Sequence, residues 1–301
     1  MQLIVLGSGA GGPFQGRNYT AQLFKVDNHI FLIDCGEGTQ HQLFRYRLRY
    51  DHMKEIFISH LHGDHVFGLM GLLTSFALKK RSAPLAIFGP VGLRELVETS
   101  ARLVGAIFPF IITVHEVDTT ISTKVFENDK VEVSTIPLNH RTLCTGWLFK
   151  EKLRPANILA EKIKEYGIPY MQIAAIKAGA DYHLPNGVVI AHTELTTPPS
   201  PPCSFAFCSD TAPSDTVIAA VKGVNLLYHE ATFTNDHEAE AAYSGHSTAE
   251  QAAFVAREAG VGQLLIGHFS GRYRDVQQHL EEARAIFQYC NVVEEGREYE
   301  I

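Results

Sequence analysis

The 301-residue sequence lacks the features that mark several classes of protein. No stretch approaches the roughly 18 consecutive apolar residues of a membrane-spanning helix, and no basic segment precedes the short apolar run after Met1, as it would in a signal peptide. The five cysteines are scattered and show no CxxC spacing, which indicates neither a disulfide framework nor a thiolate zinc site. We therefore expect a soluble, cytoplasmic protein with reduced thiols.

An excess of positive charge is also missing. The formal net charge is −7 at pH 7, which argues against a protein that coats nucleic acid nonspecifically, because such binding needs many contacts to phosphates. A local basic patch is compatible with this charge. Histidine, in contrast, is abundant at fifteen residues, and this surplus points to metals held by nitrogen and oxygen ligands.

The order of strand and helix patterns predicts a layered α/β protein. Short strand patterns dominate the first 60 residues, return between about 109 and 138, and alternate with helical patterns after residue 203. Residues 150–202 break this rhythm with a charged helical run, a polar hairpin-like piece and the proline cluster TTPPSPP. We interpret residues 150–202 as an insertion into a domain formed by residues 1–149 and 203–301.

A glycine-rich segment near the start matches a nucleotide-binding pattern. The pattern GxGxxG extends from Gly7 to Gly12, and Asp34 follows about 20 residues later at the end of a strand pattern. A dinucleotide site also needs a helix that begins at the glycines and binds the pyrophosphate. The following residues, PFQGRNYTAQLFKV, show a proline, another glycine and a strand pattern instead. A flexible glycine turn beneath a functional site is therefore the better interpretation.

The densest group of potential ligands is the segment HLHGDH. It places His60, His62, Asp64 and His65 within six positions, directly after a strand pattern. His60 and His62 share one side of an extended chain, so Asp64 and His65 are expected to face away and serve a second ion. Imidazole and carboxylate ligands suit zinc best, with manganese as the alternative. A pair of such ions activates water for hydrolysis.

Later strand patterns end at three further candidate ligands. They are His140 in PLNHRT, Asp210 in CSDT and His268 in IGHFSGRY. Because parallel strands deliver their end residues to one edge of a sheet, all three are well placed to complete a metal site.

The segment SGHSTAEQ carries a helix start signal. Ser247 and Glu250 have the spacing of a capping box, which predicts a helix from Ser247 to about Gly260. His246 would then lie just outside the helix N-terminus, where the helix dipole disfavours its protonated form. A nearby carboxylate would offset the dipole, and Glu230 in YHEATF is the candidate.

The ligand order resembles the metallo-β-lactamase superfamily: HxHxDH, a distant histidine, an aspartate after a strand and a final histidine. Within it, LGSGAGGP…RN, DCGEGTQ, NHR, CSDT, HEATF, HST and HFSGRY resemble ribonuclease Z, the endonuclease family that removes the 3′ trailer of precursor tRNA. This resemblance extends over nearly the whole chain. It implies a four-layer αβ/βα sandwich, two Zn²⁺ per subunit, a homodimer, and a tRNA-binding arm in residues 150–202.

The resemblance also implies individual roles. The first zinc would be held by His60, His62 and His140, the second by Asp64, His65 and His268, and Asp210 would bridge them. Asp64 would accept a proton from the attacking water, while His246, oriented by Glu230, would protonate the leaving 3′ oxygen. The implied RNA contacts are Arg17, Asn18, Arg272 and, in the arm, Lys162 and Lys164.

Two other functions remain open from the sequence. One is a hydrolase of the same fold that acts on small phosphodiesters, sulfate esters or lactones, and the other is a tRNA-binding module with a degenerate site. The basic arm and the HEATF and HST motifs disfavour the first, and the complete ligand set disfavours the second. We therefore expect a zinc-dependent endoribonuclease that cuts after the discriminator nucleotide, leaving a 3′ hydroxyl on the tRNA and a 5′ phosphate on the trailer.

Overall fold

The computed structural model describes all of residues 1–301. The chain divides into two compact units. The larger unit combines residues 1–150 with residues 203–301, and the smaller unit contains residues 151–202.

Twenty strands, many of them short, build the sheets. In chain order they are β1 (Gln2–Gly7), β2 (Gly9–Ala10), β3 (Ala21–Val26), β4 (His29–Ile33), β5 (Glu55–Phe57), β6 (Leu85–Pro90), β7 (Ile112–Val117), β8 (Lys124–Glu127), β9 (Val131–Pro137), β10 (Thr145–Glu151), β11 (Asn157–Ile158), β12 (Tyr182–His183), β13 (Val189–Ile190), β14 (Thr196–Thr197), β15 (Ser204–Cys208), β16 (Leu226–Glu230), β17 (Gln263–Gly267), β18 (Phe269–Ser270), β19 (Cys290–Val292) and β20 (Glu298–Glu300).

Eleven α-helices accompany these strands. They are α1 (Thr39–Arg45), α2 (Gly63–Val66), α3 (Leu69–Leu78), α4 (Leu93–Leu103), α5 (Ala160–Tyr166), α6 (Tyr170–Lys177), α7 (His192–Leu195), α8 (Asp215–Ala220), α9 (Glu238–Ser244), α10 (Ala249–Ala259) and α11 (Gln277–Ile286). Short 3₁₀ turns occur at Phe14–Gly16 and Asn235–His237. None of the helices has the length and apolarity needed to cross a membrane.

Two seven-stranded sheets form the framework of the larger unit. The first has the order β20-β1-β3-β4-β5-β6-β7, and the second has the order β19-β17-β16-β15-β10-β9-β8. Each contains a parallel group, β4 to β7 in the first and β15, β16, β17 and β19 in the second. The carboxyl ends of parallel strands open at one edge of a sheet, which makes that edge the usual place for a functional site.

The apolar faces of the two sheets pack against each other. The ring of Phe24 lies 4.7 Å from that of Phe149, and the ring of Phe57 lies 5.1 Å from that of Trp147. Trp147 is fully buried, and replacing such an aromatic side chain by alanine costs about 3–5 kcal/mol of folding free energy.

Helices cover the outer faces of both sheets. Leu72 of α3 belongs to a separate apolar core together with residues of the first sheet. On the second sheet, the alanine-rich face of α10 packs on β16 and β17. The order helix, sheet, sheet, helix confirms the predicted four-layer αβ/βα sandwich.

The smaller unit has its own apolar core. Its helices α5 to α7 accompany two antiparallel strand pairs, β11 with β14 and β12 with β13. The core consists of Ile168, Ile176, Tyr182, Ile190 and Leu195. The predicted charged helix and hairpin are present, and α6 is a further helix that was not predicted. Pro169 is the N-cap residue of α6, a place where proline costs no helical hydrogen bond.

The prediction for the start of the helix after His246 was wrong by two residues. The capping box is formed by Thr248 and Gln251, and α10 begins at Ala249. Ser247 instead donates its hydroxyl to the Thr211 carbonyl oxygen at 2.6 Å. The sequence STAEQ matches the capping pattern in two registers, one position apart, so spacing alone could not choose between them.

Candidate metal centre

The candidate ligands lie where parallel strands of both sheets end. His60 follows β5 of the first sheet, Asp210 follows β15 of the second, and His268 comes directly after β17. All three side chains are buried, with 0 to 3% of their surface exposed. The two sheets thus deliver polar side chains to one buried place.

The segment after His60 is not the extended loop expected from the sequence. His62 is the N-cap of α2, so Asp64 and His65 lie on a single helical turn. The helical turn, not an extended chain, directs Asp64 and His65 away from His62. The two groups of candidate ligands are therefore separate, as expected.

Three residues of the site have a left-handed backbone. Their φ angles are 56° at Asp34, 52° at Asp210 and 59° at His268. For residues other than glycine this conformation costs of order 1–3 kcal/mol and persists where the surrounding structure enforces it. Each of the three closely follows a strand, so the left-handed residue turns the chain sharply at the site.

The first group of ligands combines three histidines and one carboxylate. His60, His62, His140 and Asp210 each offer one ligand atom, and these atoms lie within 4.8 Å of one another. His60 Nε2 is 2.9 Å from His62 Nδ1 and 3.5 Å from Asp210 Oδ2. His140 Nε2 is 3.9 Å from the same Asp210 oxygen.

The second group combines Asp64, His65 and His268, whose ligand atoms also lie within 4.8 Å of one another. The Nε2 atoms of His65 and His268 are 3.2 Å apart. Asp210 Oδ1 lies 3.2 Å from the first of these nitrogens and 3.1 Å from the second. The two oxygens of Asp210 therefore face different groups, as a bridging carboxylate must.

Hydrogen bonds on the outer nitrogens set the tautomers of the histidines. Four histidines donate their Nδ1–H to a nearby oxygen. The pairs are His60 with Ser59 Oγ at 3.1 Å, His65 with Asp34 Oδ2 at 2.7 Å, His140 with the Gly245 carbonyl oxygen at 2.8 Å, and His268 with Thr232 Oγ1 at 3.0 Å. We assign these tautomers from the network, because each outer partner accepts a proton. Each Nε2 then directs a lone pair into the centre.

This donor set fits divalent metal ions. The buried His140 Nε2 has no hydrogen-bond partner within the protein, and the two facing lone pairs of His65 and His268 would repel each other without a cation between them. Burial alone raises the pKa of Asp210, but the charges of the surrounding histidines, His268 first, hold it well below its usual value. A bound metal ion would supply this positive charge in place of the protons and leave the imidazoles unprotonated, as metal ligands must be.

The glycine-rich segment supports this centre. The Gly11 N–H donates to Asp64 Oδ2 at 2.8 Å, and a 3₁₀ turn follows at Phe14–Gly16 instead of an α-helix. The glycine-rich segment is thus a turn that contacts a candidate ligand, and the dinucleotide interpretation is wrong because no α-helix begins at the glycines.

His246 lies beside the second group and pairs with Glu230. Its Nδ1–H donates to Glu230 Oε1 at 2.7 Å, and Glu230 is fully buried. Burial by itself lowers the pKa of His246, but the charge of Glu230 and this hydrogen bond outweigh it and raise the pKa to about 9. His246 is therefore protonated at neutral pH, which is the state required of a proton donor.

Thr232 is a residue of the site that the sequence reasoning missed. Its hydroxyl donates to Glu230 Oε2 at 2.6 Å and accepts from His268 Nδ1. One hydroxyl thus connects a metal ligand to the pair formed by Glu230 and His246. The signal was its place in HEATF, two residues after the carboxylate at the end of β16.

The predicted RNA-contacting loop is held within the larger unit. Arg17 donates to the Tyr273 carbonyl oxygen at 2.8 Å, and the Asn18 side chain donates to Glu295 Oε2 at 2.6 Å. Both side chains therefore tie the loop to distant parts of the chain.

Arg272 is exposed in contrast to these two residues. Its guanidinium lies over the Phe233 ring, 5.0 Å from the centroid, and its ion-pair distance to Glu240 is 3.9 Å. In the smaller unit, Lys162 pairs with Glu165 at 2.7 Å, and Lys164 is exposed on the same helix.

Comparisons with known proteins agree with this arrangement. Residues 1–153, which contain HLHGDH and His140, match the family model of the anti-Pycsar protein Apyc1. The chain is 45% identical over 286 residues to ribonuclease Z of Bacteroides fragilis, covering 95% of this chain and 94% of that protein.

Solved structures show the same fold. The short form of human tRNase Z superposes with a TM-score of 0.74 at 26% identity, covering 100% of this chain and 99% of the human one. The metallo-β-lactamase fold protein YhfI of Bacillus subtilis superposes with a TM-score of 0.69 at 18% identity, covering 99% and 98%. By its sequence, and with a metallo-β-lactamase fold, the chain belongs to the ribonuclease Z family.

Proposed function

We propose that this protein is a metal-dependent endoribonuclease that removes the 3′ trailer from precursor tRNA, cutting after the discriminator nucleotide. One observation carries the proposal: a complete two-part ligand cluster lies beside a protonated His246. The membership in the ribonuclease Z family supplies the substrate class.

Two ions fit the cluster better than one. The split of Asp210 between two ligand groups supports a pair of metal ions, and the nitrogen and oxygen donors favour Zn²⁺, with Mn²⁺ as a substitute. When bound, such ions make water acidic enough to attack near neutral pH and offset the negative charge of the phosphate.

In this proposal Asp64 receives the proton of the attacking water. Its carboxylate accepts from Gly11 N–H and lies 3.7 Å from His268 Nε2 and 3.6 Å from His65 Nε2. These contacts hold its oxygens at the second group of ligands and favour the ionised form, which is the form that accepts a proton.

In this proposal His246 donates a proton to the leaving group. Its Nδ1–H is held by Glu230, so the proton for transfer is on Nε2. As the bond between phosphorus and the 3′ oxygen breaks, this proton passes to the oxygen. The products are a tRNA with a 3′ hydroxyl and a trailer with a 5′ phosphate.

The proposed RNA contacts are positively charged side chains at the surface. Arg272 can bind a phosphate through its planar fork, and Lys162 and Lys164 place positive charge on the smaller unit. We propose that this unit is the tRNA-gripping arm, and that Arg17 and Asn18 shape the loop that receives the RNA 3′ end.

We also propose a homodimer. Met70, Leu78 and Val104 line one cleft of about 410 Å³ on α3 and α4, and Leu78 and Val104 are more than 70% exposed. A cluster of exposed apolar side chains is typical of an interface. Analytical ultracentrifugation of the wild type and of Leu78→Lys tests this, and an unchanged monomer in both would contradict it.

The experiment for the catalytic function uses a precursor tRNA labelled at its 5′ end and carrying a 3′ trailer. The Zn²⁺-loaded wild type should give one cut next to the discriminator, and Asp64→Ala should give none. Asp129→Ala, which removes an exposed carboxylate in the turn between β8 and β9, should cut normally. If the wild type leaves the RNA intact but hydrolyses a small phosphodiester or a lactone, the tRNA assignment is wrong and the alternative hydrolase function holds.

A further inference from the structure

A strongly basic segment follows α1, away from the candidate metal ligands in sequence. The residues FRYRLRYDHMK contain four exposed cations, Arg45, Arg47, Arg49 and Lys54, and one carboxylate, Asp51. The chain as a whole carries a net charge of −7. This concentration of positive charge therefore stands against the average of the molecule and calls for a physical reason.

Two clefts meet at this segment. One of about 530 Å³ and one of about 580 Å³ share Arg47, Leu48 and Arg49 in their walls. Lys25 and His52 line the first cleft, together with Asp27. Arg45 and Lys79 line the second, together with Asp51. Cations thus outnumber carboxylates in both clefts.

Some exposed arginines of the chain have carboxylate partners and others have none. Arg94 pairs with Glu98, Arg154 with Glu151, Arg257 with Glu258 and Arg297 with Glu294, whereas Arg102 and Arg274 belong to no ion pair. No ion pair of the protein includes Arg47 or Arg49, and the nearby Asp51 pairs with Lys79 at 3.3 Å. The guanidinium groups of Arg47 and Arg49 are therefore free to bind an anion from outside the protein.

The backbone gives a second, independent observation. Arg47 has a φ of 54° and follows the C-cap residue of α1, with its N–H donating to the Phe44 carbonyl oxygen. Glycine is the usual residue at such a helix end, because it adopts the left-handed conformation without strain. In this chain α5, α9 and α10 end on glycines with φ of 63°, 75° and 63°. Arg47 thus stands where glycine is usual, as Lys80 does after α3 with a φ of 57°.

The segment lies at the edge of the first sheet opposite to the metal centre. Lys54 directly precedes β5, whereas His60 follows β5 at the carboxyl ends of the parallel strands. In the same way, α1 leads the chain away from Gly36, which packs against the Asp64 backbone, to Arg45. A strand advances about 3.3 Å per residue, so an RNA that contacts both regions must extend over about 20 Å along the sheet.

We propose that Arg45, Arg47, Arg49 and Lys54 form a phosphate-binding surface for the substrate RNA, which we call the α1 basic surface. This inference rests on the proposed function. Guanidinium forks bind phosphate oxygens in pairs, and here no internal ion pair has to break first. The ring of Tyr46, 5.7 Å from the Arg45 guanidinium carbon, supports one of these forks.

The first test compares the wild type with Arg47→Gln/Arg49→Gln on precursor tRNA between 50 and 200 mM KCl. We expect KM to rise several-fold at 50 mM salt, as the loss of two exposed charge contacts implies, with kcat retained. The slope of log(kcat/KM) against log salt should become shallower by about two, close to one for each lost phosphate contact.

The control is Arg102→Gln/Lys222→Gln, which removes the same charge from α4 and from the turn after α8. It should keep the wild-type KM and salt slope, and metal content and melting temperature should match in all three proteins. A direct measurement of the Kd for precursor tRNA in an Asp64→Ala background separates binding from turnover. In this background, Arg47→Gln/Arg49→Gln should weaken RNA binding and Arg102→Gln/Lys222→Gln should not.

A single variant, Arg47→Gly, separates an RNA contact from a structural role. Glycine relieves the left-handed strain, so the variant should melt no lower than the wild type while its KM for RNA rises. A structural role would lower the melting temperature instead.

The outcomes distinguish the two proposals. If the wild type neither binds nor cuts precursor tRNA, the proposed function fails. If it cuts normally and the Arg47/Arg49 double variant keeps the wild-type KM and salt slope, the α1 basic surface is not an RNA contact. That result would be the one expected if these arginines bind an acidic protein.

Discussion

The metal centre and the smaller unit are built in contrasting ways. At the centre, His60, His65 and His268 are at most 1% exposed, and each outer nitrogen has a specific partner. In the smaller unit, Tyr170 and Met171 are 85% and 86% exposed. Chemistry needs ligand atoms held to within a few tenths of an ångström, whereas gripping a large substrate needs accessible surface. The contrast suggests that single substitutions should act very differently in the two regions.

The strongest test of this contrast is Asp210→Asn. Asn keeps the shape but removes the charge shared by both ligand groups, so bound metal should fall well below the wild-type level. RNA cleavage should drop by about a thousandfold or more, since the loss of even one stabilising group of an active site costs about 10²–10³. Metal analysis after desalting, together with single-turnover cleavage, measures both effects. Wild-type metal content with normal cleavage would show that Asp210 does not bridge two sites.

His246→Asn should separate proton donation from metal binding. Loss of a general acid costs about 10²–10⁴ in rate, while the metal content should remain that of the wild type. The measurement is the rate constant of RNA cleavage at an enzyme concentration that saturates the RNA. A variant that loses metal in parallel with activity would identify His246 as a ligand, which its place within 4.8 Å reach of Asp210 and His268 allows.

Thr232→Val should weaken metal binding without touching a ligand. The valine has the same shape but cannot accept the His268 Nδ1 proton, and loss of such an outer partner typically costs 10–100-fold in metal affinity or activity. Competition against a chelator measures the affinity. Thr232→Ser, which keeps the hydroxyl, should restore it, and equal affinities in all three proteins would show that the hydroxyl does not set the tautomer.

Glu230→Gln should move the alkaline limit of activity to lower pH. Glu230 raises the pKa of His246 to about 9, so the proton donor is charged below that pH and loses its proton as the pH rises through it. Without the carboxylate, burial lowers the pKa, and the loss of activity begins at lower pH. At pH 8–9 we expect a deficit of well over tenfold, because a pKa that falls from about 9 to the ordinary histidine value of about 6.5 or below leaves little of the protonated donor. The kcat profile against pH is the measurement, and an unshifted alkaline limb would contradict the assigned pair.

The smallest effect is expected in the smaller unit, from Lys162→Gln/Lys164→Gln. Exposed charge contacts are worth about 0.2–1 kcal/mol each, so KM for precursor tRNA should rise only a few-fold. Metal content should not change. Glu161→Gln/Glu165→Gln serves as the matched control on the same helix and should lower KM or leave it as it is. A large loss of kcat in the lysine variant would break the contrast between the two regions.

The ligand residues could be predicted from sequence because each lies close to a strand end. HLHGDH, CSDT and IGHFSGRY each follow an apolar run, and local patterns report strand ends well. The same patterns located β1, β3, β9 and β16. In contrast, α1 was missed, since TQHQLFR is short and mostly polar, and its stability comes from packing against the first sheet and α3.

The network around the ligands was out of reach for a different reason. It depends on contacts between residues far apart in the chain, such as Asn18 with Glu295, 277 positions away, and His268 with Thr232, 36 positions away. Spacing contains no information about such pairs. The hydrogen bond from the Arg17 guanidinium to the Tyr273 carbonyl oxygen, 256 positions away, is another such contact.

The central claim is that two ligand groups joined by Asp210 hold the metals that drive cleavage of precursor tRNA. The most direct measurement is a titration of metal-free wild type with Zn²⁺, in which metal content and the cut beside the discriminator are followed together. Our account predicts that cleavage at this one position rises until two equivalents are bound. Cleavage that needs no metal, or that is complete at one equivalent, would contradict it.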